Sequence, residues 1–305
     1  MNGDNVLVAV AGRNLRLSNL DKVLYPEYGF SKGEVIDYYS RIAPVLLPHI
    51  TGRPLTMRRY PNGVDAQSFY EKNAARHAPD WVRLITVDTP GSSTGADTLD
   101  FAVVDDLPTL VWVANLASLE LHIPQWTVGP RGARHNPDLL VFDLDPGPPA
   151  TIVECCEVAL LLRDELRADG LEGYAKTSGS KGMQLYCPVT TTAPEATSNY
   201  AKALAERLAT ARPNLIVAKM AKNLRPRKVF IDWSQNNQYK TTVAPYSLRA
   251  RSRPTVSTPI TWAEVADCRT PDDLVYTADD VLDRVDEHGD LFAGLLTKKR
   301  PRLTR

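Results

Sequence analysis

Between residues 139 and 147 the chain reads LLVFDLDPG, in which Leu140, Phe142 and Leu144 alternate with Val141, Asp143 and Asp145. Successive side chains of a strand point to opposite faces, so this period of two predicts a strand with one apolar face and two carboxylates on the other. Pro146 and Gly147 end it and leave the carboxylates at its C-terminal end. A regular series follows. Residues 151–168 place Ile152, Val153, Cys156, Ala159 and Leu166 on the inner side of a helix that stops at Gly170. Short strands are expected over 173–177 and 183–188, joined by SGSKG (178–182), then a helix over 194–211 and a strand over 229–233 (VFIDW). The order β-α-β-β-α-β is that of a split βαβ unit.

The first half is less regular. A short strand and a turn are expected over 14–26. Ser31, with Glu34 three residues on, forms a capping box for a helix through Ile36, Tyr39, Ile42 and Val45 to about Leu47, where Pro48 ends it. Residues 55–60 read as extended before a Pro61-Asn62-Gly63 turn, and Phe69 and Tyr70 lie in a short segment. A strand pair with a loop around Gly91 to Gly95 is expected over 86–98. A buried helix follows over 107–118, then a strand over 119–126 that contains His122. Together these predict an α+β (mixed α/β) fold: a ferredoxin-like or RRM-like split βαβ core with an N-terminal α/β module packed on it. The expected division is 1–136, 137–255 and a C-terminal acidic helical segment with a basic tail at 256–305.

Composition narrows the function classes. The 305 residues are 43% apolar and 24% charged, and no apolar run is long enough to span a bilayer, so no membrane role is expected. The N-terminus lacks the basic residues of a secretory signal, and Cys155, Cys156, Cys187 and Cys268 show no metal-ligand spacing, which fits a reducing cytoplasm. The net charge of zero hides an asymmetry. Between 219 and 253, Lys219, Lys222, Arg225, Arg227, Lys228, Lys240, Arg249, Arg251 and Arg253 face one acid, Asp232, a block suited to phosphates. From 264 to 290 the balance reverses, as a solvated helical face would.

Two acids on one strand face need a cation, a shared proton or full solvation. In a split βαβ the fourth strand lies beside the first, so Asp232 would join Asp143 and Asp145. Three convergent carboxylates suit two divalent ions, Mg²⁺ or Mn²⁺, and the lack of Cys/His sets argues against zinc. The SGSKG turn joins strand to strand, so it is no P-loop; it is either a simple hairpin or a phosphate cradle of glycines, hydroxyls and Lys181. His122 reads as a hydrogen-bonded core residue or a ligand, and Phe69 and Tyr70 as core or as a stacking platform.

The ordered set NLDKVLYP, RRYPNG, HIPQW, VFDLDPG, TSGSKG, VFIDWSQN and APYSLR resembles the polymerase domain of bacterial ligase D of non-homologous end joining, within the archaeo-eukaryotic primase superfamily. The resemblance covers about residues 14 to 292. It implies that Asp143, Asp145 and Asp232 are catalytic metal carboxylates, that Ser178 and Lys181 bind the triphosphate, and that His122 is an active-site histidine with Arg225 near the triphosphate. It places Phe69 against the base of the incoming nucleotide, gives Arg58, Gln235 and Arg249 to the nucleotide site, and sets Asn19, Lys22 and Lys32 at a DNA 5′-phosphate. Lys22 and Lys32 flank a helix start, where amides and the dipole favour an anion.

The implied activity is that of a template-dependent primase-polymerase. It would extend DNA primers or fill short gaps in DNA repair, using NTPs or dNTPs with a preference for ribonucleotides and Mn²⁺. Implied partners are primer-template or gapped DNA with a 5′-phosphate, and Ku or a separate ligase, in a nucleoid-associated cytoplasmic setting. Arg58 stands where some relatives carry lysine, and Tyr70 where they carry a second phenylalanine. With no ligase or nuclease domain after Arg305, a stand-alone member is expected. The competing readings are a non-catalytic nucleic-acid-binding module and a D-x-D glycosyltransferase.

Overall fold

The computed structural model describes residues 5–89 and 97–303. The loop expected around Gly91 to Gly95 lies outside them, but the flanking strands Leu84–Asp88 and Thr98–Ala102 pair antiparallel. Six strands form the central sheet in the order Ile216–Val217, Val229–Asp232, Leu139–Pro146, Met183–Pro188, Tyr174–Thr177, Pro259–Ile260. The fourth strand of the split βαβ unit thus lies beside the first, and the third lies on its other side. Leu140, Phe142 and Leu144 turn one face toward the helices Ile152–Ala168 and Ala196–Ala211, where Leu162, Leu166, Leu204 and Leu208 complete a buried core. On the opposite face Val141 and Tyr186 pack with Phe292 and Leu295, which leaves Asp143 and Asp145 toward the strand end.

A second sheet, ordered Thr242–Val243, Ser118–Ile123, Thr56–Arg59, Phe69–Glu71, belongs to the N-terminal half. It shares a core with the helices Lys32–Ile50 and Leu107–Asn115, through residues such as Tyr39, Ile42, Leu110 and Leu121. The chain then weaves between the two cores. Ala244, Tyr246, Leu248 and Val256 enter the N-terminal core, Ile260 enters the core of the central sheet, and Ala278, Val281 and Leu282 of the helix Ala278–His288 return to the N-terminal one.

The first helix shows the expected capping box at Ser31 and Glu34, but Pro48 does not end it: the helix runs to Ile50. Pro44 and Pro48 are four residues apart and both exposed, so their rings meet water rather than the core, while Leu46, His49 and Ile50 are buried and hold the last turn. At the N-terminus an additional strand, Asn5–Val10, pairs with Arg13–Ser18. All four cysteines are buried and free, and among the described residues no helix is long and apolar enough to cross a membrane.

Candidate functional site

Asp143 and Asp232 face each other across adjacent strands as Cα partners, and Asp145 stands two residues further along. The last strand ends at Asp232 because the chain turns into a 3-10 helix, Trp233–Asn236. Asn236 continues the ladder with its side chain: Oδ1 accepts from the Val141 amide at 2.9 Å and Nδ2 donates to the Val141 carbonyl at 2.7 Å. Register is thus held where backbone pairing stops.

The three carboxylates differ in surroundings. Asp143 accepts from Gln184 Nε2 at 2.9 Å; Asp232 is buried and accepts from Ser234 Oγ at 2.5 Å and Gln235 Nε2 at 2.8 Å; Asp145 is exposed. Burial and the neighbouring Asp145 and Asp232 push the Asp143 carboxyl up to about 7, and burial and Asp232 raise Asp145, which Arg225 draws back. The repulsion is therefore not neutralised by protein groups. Among the described residues no three His, Cys, Asp or Glu side chains close tightly enough to cage an ion. An all-oxygen set with uncompensated charge still fits Mg²⁺ or Mn²⁺, which keep waters and substrate phosphates among their ligands.

The SGSKG turn lies over the same strand end. Ser178 Oγ accepts from the Ser180 and Gly182 amides, each at 3.2 Å, which leaves its own hydrogen free for a ligand. Lys181 is exposed beside it. A Cβ on Gly182 would lie 2.0 Å from the Leu144 carbonyl oxygen, and one on Gly147 2.0 Å from that of Arg225, so both glycines permit backbone approach.

An open cleft of about 800 Å³ runs between the two sheets and brings together His122, Asp143, Asp145, Ser178, Lys181, Gln235 and Arg249. Of the metal and nucleotide-site candidates, Asp232, Arg225, Arg58 and Phe69 lie off its lining. Asp232 is behind Gln235; Arg225 stacks over Phe230 at 3.8 Å and donates to the Met220 carbonyl, on the Asp145 side; Arg58 sits between Tyr60 and Tyr70, its guanidinium 5.2 and 5.3 Å from their rings. Phe69 also points elsewhere. Tyr70 lines the cleft, 5.8 Å from the His122 ring, whereas Phe69 lies against Arg59, because neighbours on the strand Phe69–Glu71 alternate in direction.

Glu120, which the sequence did not single out, is the buried centre of the cleft wall. It precedes His122 by two residues on Ser118–Ile123, and its carboxylate meets His122 at 3.0 Å, Arg249 at 3.2 Å and Arg58 at 3.5 Å. Burial alone would raise its carboxyl, but the hydrogen bond from His122, the Arg249 guanidinium and the Ala250 amide hold it well below the usual carboxylate range. Burial lowers His122, against the pull of Glu120.

A separate cluster holds Asn19, Lys22 and Lys32. Lys22 donates to Asn62 at 2.9 Å, and buried Lys32, the first residue of its helix, donates to the Ser18 carbonyl at 2.6 Å. Burial and the nearby Lys22 and Arg59 lower the Lys32 ammonium to about 8. Asn19 makes the intervening turn at φ 53°.

Comparison with known proteins accords with this geometry. Residues 31–292 match the family model for the LigD primase-polymerase domain. The multifunctional non-homologous end joining protein LigD of Mycolicibacterium smegmatis is 46% identical over 284 residues, which are 92% of this chain and 36% of that protein. The bifunctional LigD of Bacillus subtilis is 32% identical over 90% of this chain and 43% of its own length. The chain thus spans less than half of these relatives. A solved polymerase domain of Mycobacterium tuberculosis ligase D, in complex with DNA, superposes with a TM-score of 0.87 at 42% identity, covering 93% of this chain and 98% of that one.

Proposed function

The chain belongs to the LigD primase-polymerase family, and from that premise we propose that it is a template-dependent nucleotidyltransferase. It extends a DNA primer from nucleoside triphosphates and fills short gaps, with ribonucleotides and Mn²⁺ preferred. The observation that carries this reading is the shared cleft, which Asp143, Asp145, Ser178 and Lys181 line together. That the similar mycobacterial domain was solved with DNA supports DNA as the second substrate. In this reading residues 1–136 present DNA-facing groups, 137–255 the reacting ones, and 256–305 brace both; Ku or a separate ligase would act on the product.

Asp143, Asp145 and Asp232 would hold the divalent ions, which when bound activate the primer hydroxyl and neutralise phosphate charge. The protein's own groups position the rest. The free Ser178 hydroxyl hydrogen and the Lys181 ammonium bind the triphosphate, and Arg225, beside Asp145, takes up charge on the leaving pyrophosphate. Gln235 orients Asp232. Arg249, whose Nη1 donates to the Ser178 carbonyl, steadies the hairpin. Tyr70 offers the base an aromatic face within the cleft.

Primer extension on a gapped duplex, with NTP against dNTP and Mn²⁺ against Mg²⁺, tests the proposal. Incorporation directed by the template is expected; duplex binding without incorporation under any metal would refute it.

The 5′-phosphate site at Asn19, Lys22 and Lys32 has a pH signature. Lys32 is charged below about pH 8 and neutral above it. A 5′-phosphate should therefore improve gapped-DNA affinity about tenfold at neutral pH, and the advantage should shrink as pH rises past 8. Anisotropy titrations with and without the phosphate measure it, and equal affinities at neutral pH would remove the site.

A further inference from the structure

We infer that Glu120 is a positioning residue of the nucleotide cleft, an inference that rests on the polymerase reading above. Its side chain is 1% exposed, and two of its partners, His122 and Arg249, line the cleft. Oε2 accepts from His122 Nε2 at 3.0 Å and Arg58 Nη1 at 3.5 Å; Oε1 accepts from the Ala250 amide at 3.2 Å and pairs with Arg249 Nε at 3.2 Å. A buried carboxylate is tolerable only when enclosed by donors in this way.

Three consequences follow from the geometry. His122 commits its Nε2 proton to Glu120, so Nδ1 is the ring nitrogen left for a ligand. Arg58 and Arg249 share a carboxylate that screens their mutual repulsion and sets their spacing. One negative charge against two guanidiniums still leaves the wall positive, as a triphosphate requires. The arrangement also reaches the hairpin, because Arg249 Nη1 donates to the Ser178 carbonyl. Glu120 thus acts through His122, Arg58 and Arg249.

The test is nucleotide incorporation on 5′-phosphorylated gapped DNA by Glu120→Gln, Glu120→Asp, His122→Asn and the double variant E120Q/H122N. Both Glu120 variants should raise the nucleotide KM about tenfold or more. Affinity for the DNA should stay unchanged, since Lys22 and Lys32 lie on other elements. The double variant should lose less than the sum of the singles. Wild-type KM in either Glu120 variant, strict additivity, or unfolding of both Glu120 variants would overturn the positioning role. A wild-type protein that incorporates no nucleotide would sink the polymerase reading instead. Equilibrium nucleotide binding by the same variants would then decide: undiminished affinity overturns the inference, and a tenfold loss upholds it.

Discussion

Asp143→Ala and Asp232→Ala are each expected to lower nucleotide incorporation by about a thousandfold or more while the protein stays folded. The strands keep their register without these carboxylates, because Asn236 and the buried Leu140, Phe142 and Ile231 hold them. Stability should move the other way from activity. The folded-state carboxyl of Asp143 is raised, so the folded protein holds a proton that the unfolded chain gives up between about pH 4 and 7. Stability from this group is present at acid pH and lost as pH rises through that window. In chelator-treated protein at neutral pH, Asp143→Ala should therefore melt higher than wild type, by on the order of 2 °C for each kcal/mol of repulsion relieved, and the gain should fade near pH 4. Adding Mn²⁺ should raise the melting temperature of wild type and not of the variant. Incorporation near the wild-type rate by either alanine variant, or an equal response to Mn²⁺, would remove the metal assignment.

The second large effect is steric. Gly182→Ala places a methyl 2.0 Å from the Leu144 carbonyl oxygen, on the strand that carries Asp143 and Asp145. A backbone atom cannot swing aside as a flexible side chain can, so the hairpin must lift. A loss of about 1–3 kcal/mol of stability is expected, together with about a tenfold rise in nucleotide KM, because Ser178 and Lys181 move with the turn. Gly170→Ala is the control. Gly170 has φ 74° at the end of the helix Ile152–Ala168 with nothing near its missing Cβ, so alanine there costs about 1 kcal/mol of backbone strain and leaves incorporation alone. Thermal melts and nucleotide titrations on the two variants compare the effects. An unchanged KM in Gly182→Ala would show that the turn does not hold the nucleotide.

What could be read from sequence depended on whether a side chain's role followed from local period. The split βαβ order placed Asp232 beside Asp143, and the register bears that out. The SGSKG turn likewise falls over the same strand end. Glu120 was invisible for a physical reason: SLELHI alternates like any strand with one solvated face, and only tertiary packing brings Arg58 and Arg249 onto that face. Phe69 and Tyr70 are adjacent aromatics on opposite faces, and composition alone does not say which face meets the cleft. Pro48 misled because a proline usually ends a helix; here its ring is exposed and burial of Leu46, His49 and Ile50 outweighs the lost bond.

The segment that crosses between the two cores has a mechanical consequence. Thr242–Val243 extends one sheet, Pro259–Ile260 extends the other, and residues between and beyond them fill the N-terminal core. The cleft is bounded by walls sewn together from behind with the same thread. A jaw on a hinge needs a few free residues at its pivot, and this seam offers packed ones. The fold should therefore accept its substrates as a rigid mould does, choosing among them by fit rather than by snapping shut. Cutting the chain after residue 255 would unpick both walls at once.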